Sequence, residues 1–107
     1  MKKEIYLFCS AGMSTSLLAK KMQGISNNYN LPIVVEAYSY SEIDKIIAQK
    51  SPDCILLGPQ VKYMLEEVKE KYGKQVPVEV INTADYGSMD GERVLKLGIK
   101  MIKEFVK

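Results

Sequence analysis

A cysteine followed by a run of small residues is the part of this sequence whose side chains best suit chemistry. Cys9 ends an apolar run and precedes an amphipathic stretch. The residues between are small or flexible apart from Met13: Ser10, Ala11, Gly12, Met13, Ser14, Thr15 and Ser16. Backbone N–H groups in such a loop can converge on one point, and the helix that follows adds the positive end of its dipole. The pattern predicts a nucleophilic Cys9 in a cradle that binds an anion.

The ionisation of a cysteine decides whether it reacts. A thiol with an ordinary pKa of about 8.5 is only a few per cent ionised at neutral pH, and a helix N-terminus commonly lowers a thiol pKa by a unit or more. The loop would therefore make Cys9 a working nucleophile. The alternative is a cysteine packed at a strand end as a small hydrophobic residue. The polarity of residues 10–16 favours the nucleophile.

The composition limits the classes of function. A chain of 107 residues suits a single domain over residues 1–107, large enough to fold without disulfides or a metal. The net charge is only +2 and the basic residues are dispersed, which argues against nucleic acid as a partner. No apolar run approaches the ~20 residues of a membrane span. Cys9 and Cys54 match no zinc spacing, so we expect a cytoplasmic protein with reduced thiols.

The sequence contains no histidine. This excludes imidazole metal sites, catalytic pairs with histidine, and a phosphohistidine on this chain. Any phosphoryl chemistry must use another side chain, and neither a metal nor a cofactor is predicted.

Four short apolar runs, each followed by helical spacing, predict a (βα)4 chain. The predicted strands are residues 4–8, 33–37, 54–57 and 78–81. The first predicted helix follows the first strand and begins near Ser14, and its apolar face includes Tyr29. Ser41 and Asp44 form a candidate capping box for the second helix, and Asp90 is a candidate cap for the last. Such a pattern predicts an open four-stranded parallel sheet with helices on both faces.

Ligands of open parallel sheets bind beyond the carboxyl ends of the strands. Those ends are the Cys9 loop and residues 38–41, 58–60 and 82–89, so Cys9 falls where the fold predicts a site. Gln60 and Tyr86 become candidate rim residues that contact a bound phosphoryl group or a partner. For each, an ordinary structural role is at least as good an interpretation.

Three known phosphate sites can be tested against these residues. A Walker loop needs a lysine before its Ser or Thr, and the loop here has Met13 before Ser14. A phosphoaspartate site needs an acid at the end of strand 3, where this chain has Gly58. A low-molecular-weight cysteine phosphatase has an arginine six residues after its cysteine, and this chain has Thr15. A cradle without a cation suits a phosphoryl carrier better than a hydrolase.

Two motifs resemble a known family. Residues 5–18 are similar to the active-site loop of the cytoplasmic IIB component of the lactose/cellobiose/diacetylchitobiose class of the bacterial sugar phosphotransferase system. Residues 56–60, followed by Tyr63 and Met64, resemble its third strand-to-helix junction. The resemblance implies a four-stranded parallel sheet, with a topology like that of low-molecular-weight tyrosine phosphatases and related to Rossmann-like folds.

The resemblance also implies a relay. A phosphohistidine of the IIA component would pass its phosphoryl group to Cys9, which would donate it to a cellobiose- or diacetylchitobiose-like sugar bound in the membrane IIC component. The loop of residues 10–16 would hold the phosphoryl group. Asp85 is placed somewhat like a phosphatase general acid, but an ordinary loop aspartate is favoured because the arginine is missing.

Two alternatives remain open from the residues alone. The first is an enzyme acting by itself, either a cysteine-dependent phosphatase or a thiol oxidoreductase that pairs Cys9 with Cys54. The second is a noncatalytic module that only binds an anion in the cradle.

Overall fold

Four parallel strands form one sheet in the computed structural model, which describes residues 2–10 and 12–105 and their side chains except those of residues 12–14. The sheet order is β2-β1-β3-β4, and all three neighbouring pairs are parallel. The strands are β1 Lys3–Cys9, β2 Ile33–Ser39, β3 Cys54–Leu57 and β4 Val78–Val80. The predicted fold class is confirmed.

Helices cover both faces of the sheet. They are α1 Gly12–Asn28, α2 Ile43–Gln49, α3 Leu65–Tyr72, α4 Thr83–Gly87 and α5 Gly91–Glu104, with short 3₁₀ segments at Tyr40–Glu42 and Pro59–Met64. Alternate side chains of β1 divide between two cores. Ile5 and Leu7 pack with α1 and α5, and Tyr6 and Phe8 pack with α2 and α3. Burial on both faces explains why the central strands are almost entirely apolar.

The outer edge of β2 is partly covered by a side chain from α1. The Val35 N–H donates to Gln23 Oε1 at 2.8 Å, and Gln23 Nε2 donates to the Ile33 carbonyl at 3.0 Å. One amide side chain thus satisfies a donor and an acceptor that an edge strand would otherwise present to other chains. This fixes the second half of α1 beside the sheet.

Several predicted boundaries and caps differ from the structure. Ser41 does not cap a helix, so the predicted capping box with Asp44 is wrong. Ser39 instead accepts from the Ser41 N–H at 3.3 Å and starts the 3₁₀ segment, and α2 begins only at Ile43. The Ser39 side chain takes the capping role because β2 extends two residues further than predicted, which brings Ser39 to the start of the turn.

The predicted inward position of Tyr29 is also wrong. The helix ends at Asn28, and the chain turns through Asn30 with a φ of 54°, a left-handed conformation that asparagine tolerates. Tyr29 therefore lies outside the regular helical face and is 70% exposed. The spacing of apolar residues continued past the residue at which the backbone stops being helical.

The carboxyl ends of the strands meet at one edge of the sheet. Cys9 pairs in register with Ser39, the Gly58 N–H donates to the Phe8 carbonyl at 2.8 Å, and the Ile81 N–H donates to the Leu57 carbonyl at 2.8 Å. After β2 the chain crosses over β1 to form β3, so the strand order reverses between β1 and β3. This is the position at which open parallel sheets bind ligands, and Cys9 and Gly58 lie on its two sides.

Candidate functional site

Cys9 is the last residue of β1, and α1 begins only three residues later, at Gly12. The N–H groups in the first turn of a helix, here those of residues 12–14, have no acceptor within the helix and point out of its N-terminal end. The predicted cradle residue Ala11, and the side chains of Gly12, Met13 and Ser14, lie outside the described part of the chain. Cys9 itself is only 1% exposed.

Two polar side chains from other elements contact the Cys9 sulfur. The thiol donates to Gln60 Oε1 at 3.6 Å, and the Tyr86 hydroxyl lies 3.8 Å from Sγ. The Tyr86 hydroxyl also lies 3.0 Å from Thr15 Oγ1, and both of these residues are buried. The structure therefore brings together Cys9, Thr15, Gln60 and Tyr86, whereas a cysteine packed as a small hydrophobic residue would have apolar neighbours only.

Gln60 reaches Cys9 because the chain passes very close to it at Gly58. A Cβ atom on Gly58 would lie 3.0 Å from Gln60 Oε1 and 3.3 Å from the Cys9 Cβ. The following Pro59 starts a 3₁₀ segment in which Val61 is buried, and this anchors Gln60 above the end of β3. Sequence reasoning missed the role of Gly58. The available signal was that Gly58 follows the third predicted strand, at the same edge of the sheet as Cys9.

Tyr86 is carried by α4, an element that lies in the segment predicted as a loop. Asn82 caps this five-residue helix by accepting from the N–H groups of Ala84, at 2.8 Å, and Asp85, at 3.2 Å. The Asp85 carboxylate accepts from Arg93 at 2.9 Å, so it faces α5, and Tyr86 faces the sulfur. Asp90 caps α5 as predicted, accepting from the Arg93 N–H at 3.0 Å.

Ser10 and Ser16, the remaining predicted cradle residues, are both exposed. Ser16 lines a groove with Lys20 and Ala37 beside the edge strand β2. Over residues 2–10 and 12–105, no three histidine, cysteine or acidic side chains are placed to hold a metal ion.

Cys54 lies in a different environment from Cys9. It is completely buried, its thiol donates to Met101 Sδ at 3.8 Å, and burial raises the pKa of the thiol to about 12. Cys54 pairs in register with Ile5, four residues before Cys9, which corresponds to about 13 Å along the strand. A disulfide requires Cα atoms within about 7 Å, so the two cysteines cannot be joined in this fold.

Comparison with known proteins assigns the family. Residues 4–97 match the family described as "PTS system, Lactose/Cellobiose specific IIB subunit", in which PTS stands for phosphotransferase system. The chain belongs to this family. The matched segment includes Cys9, Thr15, Gln60 and Tyr86, and the predicted resemblance is confirmed.

Individual relatives of this IIB subunit agree with the assignment. The cellobiose-specific EIIB component of Lactococcus lactis subsp. lactis (strain IL1403) is 44% identical over 97 residues, covering 87% of this chain and 90% of the relative. The galactose-specific EIIB component of Lactococcus lactis subsp. cremoris (strain MG1363) shows the same identity and coverage. The solution structure of the cellobiose-specific IIB component from Borrelia burgdorferi has a TM-score of 0.78 and 34% identity, covering 96% of this chain and 94% of that structure.

The IIB assignment establishes the class of activity. This IIB subunit is a phosphotransferase component of a sugar transport system, as the family and its relatives are. None of the helices in the described part of the chain is long and apolar enough to span a membrane.

Proposed function

We propose that this IIB subunit is a phosphoryl carrier in which Cys9 accepts a phosphoryl group from a phosphohistidine of a IIA component and donates it to a sugar bound in a membrane IIC component. The observation that supports this most directly is the position of Cys9. It lies at the reversal of strand order, three residues before α1, with the Gln60 and Tyr86 side chains at its sulfur. We further propose that the 107 residues act as one domain in the cytoplasm.

The chemistry needs no histidine on this chain. The Cys9 thiolate attacks the phosphorus in line, the S–P bond forms as the P–N bond of the phosphohistidine breaks, and the released imidazole nitrogen takes up one proton, which balances the proton that the thiol has lost. In the second transfer a sugar hydroxyl attacks the phosphorus, the O–P bond forms as the S–P bond breaks, and the departing Cys9 thiolate can take up the proton that the hydroxyl loses. The N–H groups at the start of α1 would balance the phosphoryl charge in both steps.

The absence of a cation from residues 10–16 favours a carrier over a hydrolase. An arginine in the cradle would stabilise the charge of a transition state in which water attacks the phosphocysteine. Thr15 occupies the position at which a low-molecular-weight phosphatase has that arginine, and its hydroxyl is hydrogen-bonded to the Tyr86 hydroxyl. A phosphocysteine bound only by N–H groups and neutral side chains would be hydrolysed slowly and would persist until its acceptor binds.

We propose a sugar of the cellobiose or diacetylchitobiose type for one reason, which is that the loop in residues 5–18 reads most like that of the members specific for these sugars. The two Lactococcus relatives have the same identity to this chain, yet one is named for cellobiose and the other for galactose. This supports the view that the IIB sequence carries little information about the sugar, which the IIC component binds.

The carrier function is tested by intact-mass spectrometry after incubation with phosphorylated IIA at mildly alkaline pH. The native chain and the Cys54→Ala variant should each gain one phosphoryl group, and Cys9→Ser should gain none while keeping its circular dichroism spectrum. Phosphorylation of Cys9→Ser, or no gain by the native chain with an active donor, would overturn the proposal. Steady hydrolysis of an aryl phosphate by the native chain would instead support a phosphatase.

A further inference from the structure

We propose that Tyr86 is a positioning residue that stabilises the reactive, ionised form of Cys9, and that Gln60 stabilises the resting thiol. This inference rests on the phosphoryl-carrier function of Cys9 proposed above. It follows from the different hydrogen bonds that the two side chains can make to the same sulfur atom.

The Tyr86 hydroxyl can donate its hydrogen to Cys9 when it accepts a hydrogen bond from Thr15. Their hydroxyl oxygens are 3.0 Å apart, and either hydroxyl can donate to the other. When Thr15 donates to Tyr86, the Tyr86 hydroxyl is directed to its remaining neighbour, the Cys9 sulfur at 3.8 Å. Both hydroxyl residues are buried, with 0% exposure for Thr15 and 8% for Tyr86, so water competes little for these bonds.

Gln60 acts in the opposite sense because it presents an oxygen to the sulfur. The Cys9 thiol donates to Gln60 Oε1 at 3.6 Å. A carbonyl oxygen can accept from a thiol, but it gains nothing from a thiolate and repels its charge. The Gln60 contact therefore favours the protonated form of Cys9, whereas a hydroxyl that donates favours the ionised form.

The two contacts suit a residue that must be both nucleophile and leaving group. A donor that stabilises the thiolate helps Cys9 to lose its proton before it attacks the phosphohistidine. The same donor stabilises the thiolate that departs when the sugar takes the phosphoryl group. Between transfers, the bond to Gln60 holds the unloaded thiol.

The charged side chain next to Tyr86 in the chain is paired with an arginine. The Asp85 carboxylate, next to Tyr86 in the chain, accepts from Arg93 at 2.9 Å. Several neighbours of Cys9 are neutral: Ser39 lies in register on β2, Gly58 and Gln60 follow β3, and Tyr86 on α4 also contacts Thr15 on α1. A substitution of Tyr86 or Gln60 that removes only a polar atom therefore changes the sulfur's hydrogen bonds without adding or removing a charge.

The test is a pH titration of the cysteine ¹³Cβ signals by NMR on the full chain, which needs no phosphoryl donor. Tyr86→Phe removes the donor and should move the Cys9 titration to higher pH by about one unit. Gln60→Met removes the acceptor at similar side-chain size and should move it to lower pH. The matched controls Tyr29→Phe and Gln49→Met, both at exposed positions, should titrate as the native chain does. The Cys54 signal can be told apart from the Cys9 signal by its titration at high pH, because burial raises the pKa of the Cys54 thiol to about 12.

Opposite shifts in the two variants are the expected result, since a loss of packing would not produce them. Shifts of the same sign, or a Tyr86→Phe titration equal to that of Tyr29→Phe, would overturn the inference. If Tyr86→Phe fails to fold, Thr15→Val removes the hydroxyl that orients Tyr86 at nearly constant volume and should also shift the titration upward. An unshifted Thr15→Val titration would overturn the inference equally.

Phosphoryl acceptance measured on the same variants separates this inference from the proposed function. At neutral pH, Tyr86→Phe should accept the phosphoryl group about tenfold more slowly than Tyr29→Phe, and the deficit should shrink as the pH rises and Cys9 ionises. If the native chain accepts no phosphoryl group but the titrations shift as expected, the proposed carrier function is rejected. The proposed effects of Tyr86 and Gln60 on the ionisation of Cys9 are then still supported.

Discussion

At the scale of single residues, the two cysteines show how neighbours decide what one side chain does. Both are buried, Cys9 at 1% exposure and Cys54 at 0%. Cys54 faces Met101 and the apolar core, and burial raises the pKa of its thiol. Cys9 faces a carbonyl oxygen and a hydroxyl group, and it lies beside the start of a helix. Burial by itself therefore does not separate a cysteine packed in the apolar core from one with polar neighbours.

Gly58 is the residue at which a single added methyl group should disturb the site. In Gly58→Ala the new Cβ would lie 3.0 Å from Gln60 Oε1 and 3.3 Å from the Cys9 Cβ, so both must move. We expect phosphoryl acceptance to slow about tenfold or more, with a loss of about 1–2 kcal/mol in the free energy of unfolding. Single-turnover mass spectrometry and urea unfolding measure the two effects.

The control for this substitution is Gly24→Ala in α1. A Cβ on Gly24 has no atom within 4 Å among those described. Alanine should raise the free energy of unfolding there by about 0.5–1 kcal/mol through helix propensity and leave acceptance unchanged. Native acceptance by Gly58→Ala would show that the close approach of β3 to Cys9 does not matter for transfer.

At the scale of elements, α5 approaches the sheet closely at Gly98. A Cβ on Gly98 would lie 2.7 Å from Ile5 Cδ1, whereas the other two nearest atoms of Ile5 would be 3.5 and 3.6 Å away. Ile5 is completely buried in the centre of β1. At this point α5 approaches the strand that carries Cys9 so closely that a Cβ atom would clash with the terminal methyl group of Ile5.

A double-mutant cycle tests this contact. Gly98→Ala alone combines a gain in helix propensity with overpacking against Ile5. The Ile5→Val substitution removes Cδ1 and leaves ordinary contacts. We therefore expect Gly98→Ala to be more favourable by about 1 kcal/mol or more in the Ile5→Val background than in the native chain. Urea unfolding of the native chain, the two single variants and the double variant gives this coupling energy. If the effects of the two substitutions on the free energy of unfolding were additive, α5 would have moved away from Ile5 to accommodate the added methyl group.

At the scale of the whole molecule, tyrosines make the fold sensitive to high pH. Burial, followed by hydrogen bonding to a carboxylate, raises the pKa of Tyr6, Tyr38 and Tyr72, the last to about 12. The carboxylates belong to Glu4 for Tyr6, Glu36 for Tyr38 and Asp44 for Tyr72. An unfolded chain loses its phenolic protons near pH 10, and the folded chain keeps them to higher pH. Stability from these groups is therefore complete below about pH 10 and is lost as the pH rises through the folded pKa values.

We expect the urea midpoint to fall between pH 8 and pH 11, with most of the loss above pH 10. Tyr72→Phe should reduce the difference between the two midpoints, because it removes one of the groups whose pKa changes on unfolding. The exposed Tyr29→Phe substitution should leave the difference as it is in the native chain. Equal midpoints at pH 8 and pH 11 would contradict this account of the tyrosines.

The alternation of elements and the place of Cys9 followed from the sequence because they depend on local patterns. Apolar runs separated by helical spacing predicted the parallel sheet and its covered faces, and the end of the first run placed Cys9 at the ligand-binding edge. Asp90 was recognised as a cap because capping depends on one side chain and the amide three residues later. The Ser41 cap failed because the extent of β2 is set by its pairing with β1, which sequence spacing does not reveal.

Only the tertiary structure decided which side chains meet the Cys9 sulfur. Gln60 and Tyr86 were predicted only as candidates for the rim, and Thr15 as part of the loop. Gln60 is 51 residues from Cys9 in the chain, and Tyr86 is 77 residues away. Their contacts arise because the sheet order puts β3 beside β1 and α4 brings a buried tyrosine back to α1. Such contacts depend on the close packing of elements distant in sequence, so the sequence alone placed Cys9 at the carboxyl edge of the sheet, and the fold specified the side chains that contact its sulfur.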